Sequence, residues 1–330
     1  MFTNKNCEIS GISVCVPNSK IDNNNLLKII DKNKFIQHTG VKRHFLNLKK
    51  KISTSDLCFI AANKIIKKLK WKKKDIGFLL FVSQTRDFVL PSTACILQKR
   101  LGLSKNILAY DIPLGCSGFV YGLYTAFLIS QNMKSKGLLL TGDMISKLID
   151  LKDEKFFGLF GDAGAAIAIK HEKKLKNSSC FLFGTDGGGY KNLIYDNTNI
   201  NNFEKKYSLK MNGAKIFEFA LNEVPPQIER LLSSSRNTIS SIDYFIFHQA
   251  NKFLINALMK KLKIPENKII YSIDEFGNTN SASIPITIYK NLKNKSDVKI
   301  LISGFGVGYS WASAIINLNK PKFSELTKHD

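Results

Sequence analysis

An α/β protein of two similar halves is the fold class that this sequence predicts, and three observations predict it. Short apolar runs of strand length alternate with segments of helical pattern. The order of those elements repeats about half a chain later. The length of 330 residues, with 44% hydrophobic and 11% aromatic composition, suffices to bury a substantial core in one large domain or two ordinary ones. Wholesale disorder is thereby excluded.

Taken in order, a Lys-rich helical segment (Ala61 to Lys74) precedes the apolar strand DIGFLLFVS at 75–83. A strand from Ile107 to Ile112 runs through the turn PLGCSG into a helix from Phe119 to Gln131. The strands KGLLLTGD (136–143) and GDAGAAIAI (161–169) follow. The echo begins with SIDYFIFHQ at 241–249: pairing Ile76 with Ile242 gives an offset of 166. At that offset Cys116 falls opposite Ala282 of GNTNSASIPITIY, both in small-residue turns that open an apolar helix. VKILISGFG (298–306) then matches 136–143 at an offset near 162, and SWASAIINL (310–318) matches 161–169. Chance similarity of apolar strands is the competing explanation, and four elements recurring in order make it the weaker one. Two copies mean a duplicated domain rather than a solenoid. The expected halves are 1–170 and 171–330, with a polar, loop-rich connection at about 171–240. Within it, Asp186 to Gly189 and the Asn-rich stretch 197–202 read as turn or loop. Pro225 and Pro226 interrupt a helical pattern from Ala214 to Leu232 and are expected to begin or kink a helix there.

Charge is the unusual quantity. The 49 basic residues against 26 acidic ones leave a net +23, with a pI near 9.7. Only five of the basic residues are Arg (Arg43, Arg86, Arg100, Arg230, Arg236). Base readout and bidentate phosphate recognition lean on Arg, so a Lys excess points to a diffuse positive field rather than to specific nucleic-acid recognition. Two readings remain open: compositional bias toward Lys and Asn, or selection for an acidic partner. The N-terminus lacks an apolar segment of signal-peptide length, and no run approaches the roughly 20 apolar residues of a membrane helix. Six cysteines without a CxxC or regular spacing imply neither a zinc site nor a disulfide framework, so no metal is expected. A cytoplasmic location without membrane insertion is the expectation.

Four sites carry the chemistry. Cys116, between a strand and a helix and flanked by Gly115 and Gly118, is placed at a helix N-terminus. The helix dipole and free N–H groups there favour a thiolate, so Cys116 is a candidate nucleophile near neutral pH. A buried structural cysteine is the alternative. His248 ends an apolar strand, where α/β proteins place catalytic groups, although an isolated histidine there is more often a satisfied core residue. Asn278, in a Gly-Asn turn, reads equally as a cap. The duplication places the Cys116 and Asn278 turns at equivalent positions, with the His248 strand end beside them. Gly304 to Gly308 adds backbone N–H groups able to meet a developing oxyanion.

At these residues the sequence resembles the β-ketoacyl-acyl-carrier-protein synthase III enzymes of the thiolase superfamily. GCSGFVYGL around Cys116, HQAN at 248–251, GNTNSAS at 277–283 and GFGVGYSWASA at 304–314 match in order and spacing. TGVKRHF (39–45), LPSTAC (90–95), FGDAGAA (160–166) and TDGGG (185–189) match more weakly. The resemblance implies a thiolase-like fold, with two βαβαβ-type halves in a layered α-β-α-β-α sandwich, and a homodimer. It implies a catalytic triad of Cys116, His248 and Asn278, an oxyanion hole from the backbone of Cys116 and Gly308, and an acyl pocket to which Leu90 is lent across the dimer. The implied reaction is a decarboxylative Claisen condensation of an acyl thioester with malonyl-acyl carrier protein. No bound cofactor is implied, since substrates travel on coenzyme A or phosphopantetheine. A thiolase would need a second cysteine near Gly304 to Gly308, and long-chain synthases a second histidine where Asn278 stands. The alternatives kept are an acyltransferase on the same scaffold serving a hydroxyl or amine, a non-catalytic subunit, and a nucleic-acid binder.

The match departs from the family at the coenzyme A end. Lys34 and His38 stand where a Trp and an Arg are expected, and Glu154 near another Arg, where a carboxylate would repel phosphates. A donor already on a carrier protein is therefore expected. Lys252, Lys260, Lys261 and Lys263, on the helix after HQAN, are the expected docking residues for the acidic carrier, against the plain alternative of a solvated helix face.

Overall fold

The computed structural model describes residues 1–26, 31–49, 51–173, 175, 178–195 and 209–330. Two sheets repeat one pairing order. In the first, Ile76–Val82 lies parallel to Lys136–Asp143, followed by antiparallel Ala163–His171 and Cys7–Pro17. In the second, Tyr244–Phe247 lies parallel to Val298–Gly306, followed by antiparallel Ser310–Leu318 and Ser179–Thr185. Leu108–Ile112 extends the first sheet beyond Ile76–Val82. The duplication read from the sequence is thus a duplication of strand pairing.

Burial explains why these strands are almost wholly apolar. Along Ile76–Val82, Phe78, Leu80 and Val82 pack into the core between the sheets, while Ile76, Leu79 and Phe81 pack outward under other helices. A strand covered on both faces gains from an apolar side chain at every position. The helices Gly118–Met133 and Ser283–Leu292 fill the central layer, with Phe119, Leu123, Ile284 and Ile288 fully buried among residues of both sheets. Thr54–Lys68 and Thr93–Leu101 cover the outer face of the first sheet, and Gly213–Ser234 and Lys252–Lys261 that of the second. The result is the α-β-α-β-α sandwich.

Several boundaries move for local reasons. The helix expected over Ala61 to Lys74 is Thr54–Lys68: a capping box between Ser53 and Asp56 starts it earlier, and Lys70 at φ 52° ends it. The stretch 171–240, expected to be loop-rich, holds the strand Ser179–Thr185 and the 22-residue helix Gly213–Ser234. That helix is anchored by Phe219, Ala220, Val224, Ile228 and Leu231 at helical spacing. It neither begins nor stops at Pro225 and Pro226. The carbonyl of Leu221, whose usual partner would be the N–H missing at Pro225, accepts from Lys261 Nζ at 2.7 Å. The Asn-rich stretch 197–202 lies outside the described residues.

Candidate active site

The N-terminus of Gly118–Met133 meets the Gly304–Gly308 segment and the 277–283 turn at one cavity of about 640 Å³. Cys116, His248, Asn278 and Gly308 line it, together with Gln84 and Asn280. The duplication is what brings them together: equivalent turns from the two halves, each opening a central-layer helix, face one another here.

Cys116 sits in a tight turn closed by the Gly118 N–H donating to the Gly115 carbonyl at 2.8 Å, immediately before the helix. Its thiol donates to Asn280 Oδ1 at 3.0 Å. A side chain at Gly306 would meet Cys116 Cβ and Sγ at 2.8 Å, so glycine there lets the strand close on the sulfur. The helix N-terminus does not make this thiol acidic, contrary to the sequence-based expectation. Burial, reinforced by the nearby Asp143 carboxylate, pushes it up to about 12, and the N–H groups of Val307 and Cys116 oppose this only in part. At neutral pH the resting group is a thiol.

His248 continues Tyr244–Phe247, its N–H donating to the Ser303 carbonyl at 2.8 Å, and its side chain is 1% exposed. Nδ1 lies 2.8 Å from Ser283 Oγ. Burial lowers its pKa to about 3, so the imidazole is neutral. The rest of HQAN is structural. Gln249 Oε1 accepts the N–H groups of Ser272 (2.9 Å) and Ile273 (3.2 Å), tying the strand end to the chain that leads to Asn278. Asn251 caps Lys252–Lys261 by accepting from the Leu254 N–H at 2.7 Å.

Asn278 is held on both backbone sides, donating to the Leu159 carbonyl (2.9 Å) and accepting from the Gly161 N–H (3.0 Å). Its Oδ1 accepts the Asn280 N–H at 3.0 Å, which leaves the amide N–H₂ end to face the cavity. Behind the turn, Asp143 is fully buried and binds both halves of the site. Oδ1 accepts from the Gln84 N–H (2.7 Å) and Oδ2 from the Ser281 hydroxyl (2.6 Å). Burial raises this carboxyl to about 6 despite those hydrogen bonds.

Asn280, Gln84, Ser283 and Asp143 were not singled out by motif reasoning. Asn280 and Ser283 lie inside GNTNSAS, where polar turn residues are common, and only their contacts distinguish them. Leu90 is 83% exposed in the single chain, next to Phe88 and Val89, which line the cavity. Lys252 stands at the cavity end of its helix, packed on the Tyr271 ring at 5.9 Å. Lys260 and Lys261 lie at the opposite end, about 12 Å along the axis, with Lys261 engaged with Leu221; Lys263, expected on this helix, lies past its end with a left-handed backbone. Lys34 pairs with Asp31 at 3.8 Å, His38 lies 5.1 Å from the Phe253 ring, and Glu154 opens the helix Glu154–Leu159. Among the described residues no three His, Cys, Asp or Glu side chains group as metal ligands. None of the described helices is long and apolar enough to cross a membrane.

Comparison with known proteins identifies the family. Residues 110–187 match the family model for 3-oxoacyl-[acyl-carrier-protein (ACP)] synthase III, and residues 232–318 its C-terminal counterpart. The chain is 32% identical over 325 residues to the β-ketoacyl-[acyl-carrier-protein] synthase III of Lactococcus lactis subsp. lactis, covering 94% of this chain and 99% of that one. It is 35% identical over 337 residues to that of Clostridium tetani, covering 95% and 98%. The crystal structure of a 3-oxoacyl-(acyl-carrier protein) synthase from Burkholderia xenovorans superposes with a TM-score of 0.94 at 34% identity, covering 99% of this chain and 98% of that one.

Proposed function

The chain belongs to the β-ketoacyl-[acyl-carrier-protein] synthase III family of thiolase-like condensing enzymes, and from that premise we propose that Cys116, His248 and Asn278 carry its reaction. The activity is an acyltransfer that builds a β-ketoacyl thioester. What supports the assignment of residues is that all three line one cavity, His248 and Asn278 held by their own backbone hydrogen bonds and Cys116 by the turn that Gly118 and Gly115 close.

In the first half-reaction the Cys116 sulfur attacks an acyl thioester. The new C–S bond replaces the old one, and the thiol proton ends on the departing carrier thiol. In the second, malonyl-acyl carrier protein binds with its thioester carbonyl against His248 Nε2–H and the Asn278 amide. Carbon dioxide departs, and the electron pair left behind is held as an enolate by these two donors. The enolate carbon attacks the acyl carbonyl, the backbone N–H groups of Cys116 and Gly308 meet the oxyanion, and Cys116 leaves and regains a proton. His248 suits this step because it is neutral. In the tautomer that this step requires, Ser283 donates its hydroxyl proton to Nδ1, 2.8 Å away, and the ring proton sits on Nε2.

Lys34, His38 and Glu154 favour an acyl group delivered by a carrier protein over free acetyl-coenzyme A. The exposed run Phe88-Val89-Leu90 is the face that a second copy covers, with Leu90 entering the partner's acyl pocket. Leu90→Glu is then expected to sediment as a monomer, and a dimer would remove this loop from the interface. The donor is tested by mixing the enzyme with acyl-coenzyme A and acyl-carrier donors and reading intact mass. Carrier-bound acyl groups load one acyl per chain on Cys116, and Cys116→Ala loads none. Rapid acetylation by micromolar acetyl-coenzyme A would overturn the carrier preference.

A further inference from the structure

Asn280 contacts both members of the site that come from opposite halves of the chain. Its N–H orients the Asn278 amide (3.0 Å), and its Oδ1 accepts the Cys116 thiol proton (3.0 Å). Its Nδ2 donates to Gln84 Oε1 at 3.2 Å, which fixes which end of the amide meets the sulfur. Asn280 is 4% exposed and takes a left-handed backbone, φ 49°. Space for the amide pair is left by Gly115: a side chain there would collide with Gln84 and with Asn280 Oδ1.

An amide oxygen is an acceptor only. It stabilises S–H and repels S⁻. We propose that Asn280 is a positioning residue that holds Cys116 as a neutral thiol in the empty site, and that Gln84 keeps it in that orientation. An acyl thioester entering past Gln84 disturbs the amide pair, so the thiol is released when a substrate is there to receive its attack. The device guards the nucleophile against alkylation and oxidation between turnovers. It rests on the reading of Cys116 as the nucleophile.

Among the described residues, the other charged and titratable groups around the thiol are Asp143, which acts on it, and His248, Arg86, Asp87, Tyr190 and Tyr195, which line the same cavity. All of them stay in place in the variants used to test the idea. Burial and Asp143 already raise the thiol; an acceptor oxygen on the sulfur is expected to act in the same direction.

The test is the rate of iodoacetamide alkylation of Cys116 between pH 6.5 and 9, without any acyl donor, followed by peptide mapping because Cys95 is exposed. Thiol acidity is read directly, so the result is independent of whether the condensation assignment holds, which donor loading tests separately. The wild-type rate is expected to rise tenfold per pH unit with no plateau. Asn280→Ala should raise the rate at each pH by about tenfold, equivalent to about one pKa unit. Gln84→Leu, which leaves the turn intact and frees the Asn280 amide to rotate, should shift it the same way. Unchanged rates in both variants would overturn the proposal. So would slower alkylation, which would mean that the amide N–H₂, not its oxygen, meets the sulfur.

Discussion

At the scale of single residues, the chemistry of the site turns on protonation. Cys116 at a helix N-terminus reads from sequence as a thiolate, yet burial and the Asp143 charge outweigh the dipole. The dipole acts through the first turn of a helix and contributes about 0.3–2 kcal/mol. A pKa pushed up to about 12 from 9.0 corresponds to about 4 kcal/mol of opposing preference. The neutral state of His248 has the same origin. Its pKa near 3, against an ordinary 6.5, means that the folded chain favours the neutral ring. Stability from this group is present above pH 6.5 and falls as pH drops from there toward 3, and catalysis needs no proton loss from His248 at any working pH. Ser283 is the residue whose contribution separates the two half-reactions. Ser283→Ala should lower the condensation kcat about tenfold, the effect of one lost hydrogen bond on the neutral ring, while leaving acyl loading of Cys116 unchanged. A matched loss in both steps would show that the turn, not the tautomer, had been disturbed. Cys116, His248 and Asn278 were legible in the sequence because their motifs are separated and ordered. Asn280 was not, because an asparagine two residues from another in a polar turn carries no signal until its side-chain contacts are known.

At the scale of elements, the strands were the most legible part. Both faces of Ile76–Val82 are buried, so the apolar run has no interruption to misread, and its counterpart Tyr244–Phe247 repeats the pattern. The second outer helix was less so. Gly213–Ser234 has its apolar residues at helical spacing, but two prolines inside it argue locally for a break. A tertiary contact overrides that local preference: Lys261 Nζ reaches the carbonyl freed near Pro225. The same contact suggests how the expected docking lysines can be tested one by one. Lys261→Ala should lower the melting temperature, at a cost of up to about 1 kcal/mol, with KM for the malonyl carrier unchanged. Lys252→Glu, at the cavity end of the helix, should raise that KM and weaken its salt dependence with no change in melting temperature. The opposite assignment of effects would return Lys261 to the docking surface.

At the scale of the whole molecule, the net charge of +23 and the doubled architecture carry different kinds of information. The charge reports on partners: a Lys-dominated field suits an acidic carrier protein, and within it Lys252 lies at the cavity end of its helix whereas Lys260 lies at the far end and Lys263 just beyond it. The duplication reports on catalysis. Two equivalent turns, one bearing Cys116 and the other Asn278, face each other because the halves stack their central helices together. Division of labour between the halves is the central claim: Cys116 takes the acyl group, and His248 with Asn278 drives decarboxylation. It is tested most directly by loading the enzyme with an acyl group, adding malonyl-acyl carrier protein, and counting carbon dioxide released by wild type and His248→Ala. The account predicts one carbon dioxide per β-ketoacyl product in the wild type. In His248→Ala it predicts release slowed roughly a hundredfold or more while Cys116 stays acylated. Acyl loading lost in step with carbon dioxide release, or product formed without carbon dioxide, would contradict it.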